Sequence, residues 1–570
     1  MNDSMFNPAQ LLASLLKGGA VTSGATEAAP SQSASSSAAA QVDIASGLAS
    51  YAQLVAELQR QYVTQVTSYW GEALSNWSVA PQPGDKRFAG EAWRSDPRFD
   101  TVKKSYLAYS ELLTQSVERM PLDDKTMAQM RYGMRQFVDA ISPSNFFVTN
   151  PEAMQLAAES GGKSLVEGMN LFYRDLAKGR ISQTDEAAHE VGRNLATMAG
   201  AVIYENELMQ LIQYKPATKE VYETPIVLIP PCINKFYIMD LGPDNSLVGY
   251  LREMGHTVFM LSWRNVQADQ GHLTWDDYVE KGALEAIDVA IDVANVPRVN
   301  ALGFCVGGTI LSCALAVMKA RREDKVASLT LLTSMLDFDD SGEIGALVTE
   351  QSVATREMTI GQGGILQGKE LSFVFSSLRA NDLMWQYVAN GYIKGKAPAA
   401  FDMLYWNGDN TNLPGPMFCW YVRNCYLENN VRIPGKVTTC GVKINLGLVD
   451  VPAFIYASRE DHIVPWRSAY ASIGLLGGAK TFVLGASGHI AGVINPPTKK
   501  KRSHWVGGSV ATDADQWLNT ASEVPGSWWP QWGSWLAEQA GKRIRARTTV
   551  GNRRHRQIEP APGRYVKEKA

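Results

Sequence analysis

The chain of 570 residues has few cysteines and little net charge. Its six cysteines stand at positions 232, 305, 313, 419, 425 and 440, and no two of them form a C-x-x-C pair. The sequence therefore predicts neither a disulfide framework nor a metal site, and we expect a cytoplasmic protein without metal or cofactor. The formal net charge of −3 gives no reason to expect a nucleic-acid partner.

Long apolar runs are also missing, and no uninterrupted run reaches the length that crosses a bilayer. Met1 to Ser4 offers no basic stretch before an apolar one, so we expect no signal peptide and no transmembrane segment. Residues 20 to 40 are mostly Ala, Ser, Thr and Gly, with almost no large apolar side chains. This composition predicts a disordered leader over residues 1–43.

The next segment carries apolar residues at helical spacing. Between Val42 and Trp77 these residues are Leu48, Tyr51, Leu54, Leu58, Tyr62 and Val66. The pattern predicts a packed helix. It would open a mostly helical N-terminal domain over residues 44–205, and binding of a partner is the alternative for this helix.

Cys305 is the centre of a Gly-x-Cys-x-Gly motif between an apolar run and a helical pattern. Glycines two positions before and after the central residue permit a tight turn that presents one reactive group above a sheet. A helix N-terminus behind a thiol stabilises its thiolate, and thiolates attack thioesters readily. We predict that Cys305 is a nucleophile; a buried structural cysteine is the alternative.

Such a nucleophile needs a base, which follows it along the chain in the hydrolase order. The later histidines outside the basic C-terminal segment are His462, His489 and His504. We select His489, because the β-branched run that begins at Lys480 would carry it to the catalytic edge of a sheet.

The acid of such a site is expected one strand before the base. The apolar run from Val451 ends in Glu460, Asp461 and His462. We predict that Asp461 is the acid, with Glu460 as the alternative, because Cys, Asp and His then follow one another on three strand ends. His462 is a candidate for supporting that acid.

The segments around the motif alternate between two patterns. Strand-like runs cover residues 224–232, 255–263 and 326–333, and helical stretches cover 241–254 and 275–293. This alternation predicts an α/β catalytic domain over residues 206–540, with a mostly parallel sheet covered on both faces.

Two further segments lie outside that alternation. Residues 339–441 are rich in Met, Trp and Tyr, and we predict an inserted cap over the active site, with a second small domain as the alternative. Residues 541–570 alternate basic and polar residues, which is typical of a solvated tail. Just before this tail, a cluster of tryptophans at positions 528, 529, 532 and 535 is predicted to pack a helix against the core.

Several motifs together carry a family resemblance. They are Pro230 to Lys235, Gly303 to Gly308, Asn412 to Pro416 with Cys419 to Tyr421, Gly488 to Pro497, Arg87 to Trp93 and Ser144 to Pro151. Across roughly residues 45 to 540 the chain resembles the polyhydroxyalkanoate (poly-3-hydroxybutyrate) synthases of the class I type. The resemblance implies an α/β-hydrolase fold and a homodimeric cytoplasmic acyltransferase at the surface of polyester granules. Such an enzyme polymerises (R)-3-hydroxyacyl-CoA and releases CoA.

The resemblance implies the same three catalytic residues, with Cys305 as nucleophile, His489 as base and Asp461 as third member. In a strand-to-helix turn that presents a nucleophile, the backbone N–H of the next residue, here Val306, is expected to stabilise the oxyanion. The loop at Cys232 and Ile233 is expected to supply the second donor. For that loop, a structural turn is the alternative.

The sequence leaves two candidates for the residue that activates the hydroxyl in chain extension. Either His489 or Asp461 activates the hydroxyl that extends the ester chain. Phe304 and Val306 flank the nucleophile as they do in short-chain enzymes of the resembled family, which implies 3-hydroxybutyryl-CoA as the favoured substrate. A cysteine hydrolase or depolymerase, or a granule-coat protein without activity, is the alternative function.

Overall fold

The computed structural model describes residues 80–81, 85–510 and 513–570. The predicted leader and the helix expected from Val42 lie outside these residues. By compactness the chain forms two units, residues 1–159 and 160–570. The first unit is helical where it is described: α1 Ala92–Ser95, α2 Pro97–Glu118, α3 Asp124–Ala140 and α4 Pro151–Glu159.

The second unit is built on an eleven-stranded sheet. Its strands are β1 Gly200–Glu205, β2 Met209–Tyr214, β4 Ile226–Ile229, β5 Val258–Trp263, β6 Val299–Phe304, β7 Val326–Leu332, β12 Ala453–Ser458, β13 Lys480–Gly485, β14 Ser503–Val506, β15 Ser522–Pro525 and β17 Glu559–Pro560. They lie in the order β15-β14-β13-β12-β7-β6-β4-β5-β2-β1-β17. Pairing is parallel from β5 to β13 and antiparallel towards both edges. The prediction of a mostly parallel α/β sheet is confirmed.

The central strands carry buried apolar residues on both faces of the sheet. Val227 and Ile229 of β4 belong to one buried cluster, and Ile226 and Leu228 belong to another. Neighbouring residues of a strand point to opposite faces, so each face of the sheet carries its own core. The strand ends that carry the candidate site therefore rest on a rigid platform.

One helix precedes the sheet and the others follow its strands, as the alternation predicts. They are α5 Lys163–Lys178, α6 Leu247–Glu253, α7 Trp275–Asp277, α8 Glu285–Ala294, α9 Val306–Ala320, α15 Trp466–Ala471, α16 His489–Val493, α17 Ala514–Thr520 and α18 Trp529–Glu538. Helix α9 is buried from Val306 to Met318. The described part of the chain contains no helix with both the length and the apolarity to cross a membrane.

The segment predicted as a cap lies between β7 and β12. Its helices are α10 Gly342–Leu347, α11 Glu350–Ile360, α12 Gly368–Leu378, α13 Asp402–Gly408 and α14 Gly415–Tyr421. Its strands are short: β8 Ile365–Leu366, β9 Leu413–Pro414, β10 Thr438–Thr439 and β11 Val442–Lys443. The domain boundaries named above stay predictions.

The expected solvated tail is wrong for residues 541–570. Strand β16, Arg543–Arg545, pairs with β3, Glu220–Tyr222, and β17 pairs with β1 at the sheet edge. Arg564 forms ion pairs with Glu205 and Glu559. Tyr565 and Val566 are buried. Strand pairing, the ion pairs of Arg564 and the burial of Tyr565 and Val566 thus make the segment part of the fold.

The tryptophan cluster packs as predicted. Trp528, Trp529 and Trp532 are at most 1% exposed. The indole N–H groups of Trp528 and Trp529 donate to the carbonyls of Gly492 and Val493, which lie just after His489. Helix α18 therefore supports the segment that holds the candidate base.

Candidate active site

Cys305 occupies the turn between β6 and α9. Its backbone has a φ of 53° and a ψ of −128°, a conformation that non-glycine residues rarely adopt and that concentrates at functional sites. The flanking glycines are needed sterically. A Cβ on Gly303 would lie 2.4 Å from the Gly308 Cα, and one on Gly307 would lie 2.4 Å from the Ile229 carbonyl oxygen. The half-buried thiol is free, and it stands at the N-terminus of α9.

His489 begins α16, directly after the turn that follows β13. Its Nδ1 lies 2.7 Å from Oδ2 of Asp461, and the side chain is buried. The ring also interacts with the Cys305 side chain. Because Nδ1 is used by Asp461, Nε2 is the nitrogen left for the thiol. The structure thus brings together the three residues predicted from the sequence.

Asp461 follows the end of β12 and is held from two sides. Its Oδ1 accepts hydrogen bonds of 2.8 Å from the backbone N–H groups of Ile463 and Val464. Its Oδ2 faces His489. This leaves the carboxylate oriented by the backbone and able to fix one imidazole tautomer. The alternative acid, Glu460, is exposed.

The electrostatics of the three residues favour a charged imidazole. Burial lowers the pKa of His489, but the negative charges of Asp461 and of the Cys305 thiolate raise it above its ordinary value overall. The protonated imidazole of His489 is therefore the form that this environment stabilises. His462 differs from its neighbour, since burial lowers its pKa to about 4 and leaves it neutral at pH 7.

The loop after β4 runs over the start of α9. A Cβ on Gly307 would touch the carbonyls of both Ile229 and Pro230, so only glycine permits this approach. Cys232 is buried, and burial, together with a smaller contribution from Cys305, raises the pKa of its thiol. The loop that contains Cys232 and Ile233 is thus close to Cys305.

Residues 406–411 hold this loop in place. The Thr411 hydroxyl donates to the Cys232 carbonyl at 2.9 Å and accepts from the Asn234 backbone N–H at 2.8 Å. The Trp406 indole donates to the Lys235 carbonyl at 2.7 Å. Asn234 itself has a φ of 67°. The loop is therefore clamped by side chains that lie more than 170 positions along the chain.

Sequence reasoning missed an aromatic cluster beside the nucleophile. Tyr421 is buried and Tyr426 half-buried, both interact electrostatically with Cys305, and their hydroxyls bond to each other. The Phe338 ring lies 4.9 Å from that of Tyr426 and 6.2 Å from that of Tyr421. Burial raises the pKa of both phenols, so they stay neutral. Tyr421 ends the motif Cys419 to Tyr421, whereas no sequence signal marks Tyr426.

Across residues 80–81, 85–510 and 513–570, no group of three or more His, Cys, Asp or Glu side chains could hold a metal ion. What the arrangement offers is a nucleophile, a base oriented by an acid, and backbone donors near a helix N-terminus. These are the parts of an acyl-transfer site.

Two family models match the chain. "Poly-beta-hydroxybutyrate polymerase (PhaC) N-terminus" matches residues 84–251, and "alpha/beta hydrolase fold" matches residues 225–496. The second match confirms the predicted α/β-hydrolase fold.

Three relatives with established names are similar over most of their length. The poly(3-hydroxyalkanoate) polymerase subunit PhaC of Cupriavidus necator is 52% identical, over 90% of this chain and 88% of the relative. The poly(3-hydroxyalkanoate) polymerase of Methylorubrum extorquens is 41% identical, over 87% and 83%. Poly(3-hydroxyalkanoate) polymerase 1 of Ectopseudomonas oleovorans is 36% identical, over 87% and 89%.

Proposed function

We propose a reaction mechanism from the premise that the chain belongs to the poly(3-hydroxyalkanoate) polymerase family and is a polymerising acyltransferase. In the proposal, the enzyme takes (R)-3-hydroxyacyl-CoA, binds the acyl group covalently to Cys305 and releases CoA. The observation that carries it is the meeting of Cys305, His489 and Asp461 at three strand ends, where His489 is hydrogen-bonded to Asp461 and interacts with Cys305.

Acylation is the first step. His489 holds the proton of the Cys305 thiol, and the thiolate attacks the carbonyl carbon of the thioester. The carbon–sulfur bond to CoA then breaks, and the CoA thiolate takes the proton from His489. Asp461 keeps the imidazole in the tautomer that this transfer needs.

The negative charge on the attacked carbonyl oxygen needs donors in the same step. The Val306 backbone N–H stands at the N-terminus of α9, where helical N–H groups have no intrahelical partner. The loop at Cys232 and Ile233 supplies the second donor. Its approach to Gly307 and its clamp at Thr411 support this assignment.

Elongation is the second step. The hydroxyl of another acyl unit gives its proton to His489 or Asp461 and attacks the carbonyl carbon of the Cys305 thioester. The sulfur leaves as the thiolate, and a new ester bond remains. The packed aromatic rings of Phe338, Tyr421 and Tyr426 favour this outcome over hydrolysis, because they keep apolar surface beside the nucleophile and exclude water there.

The favoured substrate is proposed to be short, as in 3-hydroxybutyryl-CoA. Phe304 is buried, and its ring centroid lies 5.7 Å from that of His489. Val306 is buried as well. Large groups on both sides of the nucleophile restrict the room for a long acyl substituent. A cytoplasmic homodimer at the surface of polyester granules completes the proposal.

One incubation tests the reaction. Purified protein is mixed with 3-hydroxybutyryl-CoA, and CoA, polymer and free 3-hydroxybutyrate are quantified. We expect one CoA to be released for each 3-hydroxybutyryl unit found in polymer. Free hydroxy acid in place of polymer would assign a cysteine hydrolase, and absence of CoA release would assign a binding protein.

A further inference from the structure

Four consecutive cations follow the helix that begins at His489. They are Lys499, Lys500, Lys501 and Arg502, and all four side chains are exposed. We call them the basic loop. A run of like charges is usually a solvated surface, so its charge alone assigns no role. Two observations distinguish the basic loop from such a run: its position beside the active site and the lack of partners for its charges.

The basic loop lies against the segment that holds the candidate base. The Arg502 guanidinium donates to the carbonyl of Ala491, two residues after His489. Strand β14 begins directly after the loop, and His504 in this strand pairs with Gly485 at the end of β13. The basic loop is therefore fixed at the edge of the sheet where the strands that carry the three site residues end.

The basic loop also reaches the cap segment. The Lys499 ammonium group donates to the side-chain oxygen of Asn245. The Asn245 amide in turn donates to Oδ2 of Asp402 at 3.2 Å, and Asp402 begins α13. Helix α13 also carries Trp406, whose indole holds the loop after β4. The basic loop thus lies where the catalytic edge of the sheet meets the cap segment.

The charges of the basic loop are not neutralised by carboxylates. In the part of the chain that the structure describes, none of its four cations forms an ion pair, and Lys500 and Lys501 donate no side-chain hydrogen bond. By contrast, Arg298 and Lys325, at the opposite edge of the sheet, pair with aspartates. The basic loop is therefore a concentration of free positive charge next to the site.

A CoA thioester carries the complementary charge. It has a pyrophosphate and a 3′-phosphate at the far end of a long pantetheine arm. When its thioester carbonyl meets Cys305, these phosphates must lie away from the nucleophile, towards the surface. Lysine and arginine bind phosphates through charge and through charge-assisted hydrogen bonds. An exposed group of unpaired cations at the edge of the site meets this requirement.

We propose that the basic loop binds the phosphates of the incoming acyl-CoA, with Lys500 and Lys501 as the main contacts. The inference rests on the proposed function, because acyl-CoA is the substrate of that reaction. Binding at the loop holds the thioester end at Cys305 during acylation, and the positive charge also attracts the substrate from solution. The polyester is uncharged, so the basic loop discriminates between the incoming substrate and the growing chain.

Two thioesters that differ only at the nucleotide end test the proposal. Initial rates are measured with 3-hydroxybutyryl-CoA and with 3-hydroxybutyryl pantetheine, which has no phosphate. One test variant combines Lys500→Gln with Lys501→Gln, and the other carries Glu at both positions. The control combines Lys215→Glu with Lys219→Glu, which makes the same charge change on exposed lysines after β2, at the opposite edge of the sheet.

For the CoA thioester, kcat/KM is expected to fall about fivefold or more in the Gln variant and further in the Glu variant. The loss should come mainly from a raised KM, because charge-assisted contacts to phosphate are removed. With the pantetheine thioester, both variants should stay within about twofold of the unmodified protein. Salt should lower kcat/KM for the CoA thioester less in the Gln variant than in the unmodified protein. The control should match the unmodified protein on both substrates.

An equal loss with both thioesters would overturn the proposal, because it would show that the basic loop only positions His489. Unchanged kinetics of the Glu variant, or an equal loss in the control, would also overturn it. Calorimetric titration with CoA measures binding apart from catalysis: we expect weaker binding by the Glu variant, and equal binding would contradict the assignment. An unmodified protein that binds CoA but turns over neither thioester would refute the proposed reaction, and the same titration would still decide the role of the basic loop.

Discussion

At the scale of single residues, a thiol and a hydroxyl at position 305 differ mainly in acidity. The hydroxyl of Cys305→Ser is far less acidic, so the His489 and Asp461 pair cannot hold it as an anion. We expect CoA release to fall about a hundredfold or more in Cys305→Ser and to vanish in Cys305→Ala. Cys440→Ser is the control, since that half-buried thiol lies in the cap segment. Near-normal turnover of Cys305→Ser would show that another residue is the nucleophile.

Substitution of the base and of the acid should affect different steps. His489→Gln removes the proton acceptor that interacts with the thiol, so acylation should be almost completely lost. Asp461→Asn keeps the backbone hydrogen bonds from Ile463 and Val464 and should acylate slowly while elongation stalls. Single-turnover quenching separates the two steps. Equal loss of acylation in both variants would mean that Asp461 only orients the imidazole.

Asp240 makes stability depend on pH. Burial raises the pKa of this carboxyl to about 7, although the Ser246 hydroxyl donates to it at 2.7 Å. The folded protein therefore holds a proton that the unfolded chain releases near pH 3.8. By linkage, the free energy of unfolding should fall as pH rises from about 4 to about 7.

Asp240→Asn should remove most of that fall between pH 4 and pH 7, because the amide stays neutral throughout. Denaturant unfolding at several pH values measures it. A variant with the same pH slope as the unmodified protein would show that Asp240 is ionised in the fold.

At the scale of elements, the loop after β4 depends on a segment far along the chain. Thr411→Val removes the hydroxyl that joins the Cys232 carbonyl to the Asn234 N–H. We expect kcat to fall about tenfold with little change in KM, because the oxyanion donors act only in the transition state. Thr359→Val is the control, since Thr359 lies exposed on α11. A raised KM with unchanged kcat would exclude the loop from the oxyanion site.

The elements that the sequence reveals are those with local signals. The turn at Cys305 is visible because glycines at 303 and 307 are close in the chain and are sterically required. The alternation of strands and helices is likewise local. By contrast, the Thr411 clamp and the Tyr426 ring reach the site through contacts that span more than 100 residues. No spacing rule finds such contacts.

The error at the C-terminal segment has the same cause. Basic residues alone suggest solvent exposure, but Arg564 pairs with Glu205, which lies 359 positions earlier at the sheet edge. The pairing of β16 with β3 brings together residues that are more than 300 positions apart. The amino-acid composition of a short segment gives no information about a partner so far along the chain.

At the scale of the whole molecule, the single polypeptide should suffice for polymerisation and should favour short substrates. Relative rates on C4 and C8 3-hydroxyacyl-CoA measure the preference, with an expected advantage of C4 of about tenfold or more, since bulky Phe304 and Val306 flank the nucleophile. A preference for C8, or a requirement for a second protein, would contradict this prediction.

The most direct test of the account is the fate of Cys305 during a single turnover. Protein is mixed with 3-hydroxybutyryl-CoA, quenched in acid within one catalytic cycle and digested, and the peptide that contains Cys305 is analysed by mass spectrometry. We expect a hydroxybutyryl thioester on Cys305 that appears as CoA is released and decays into polymer when more substrate is added. CoA release with Cys305 unmodified, or an acyl group on another residue, would contradict it.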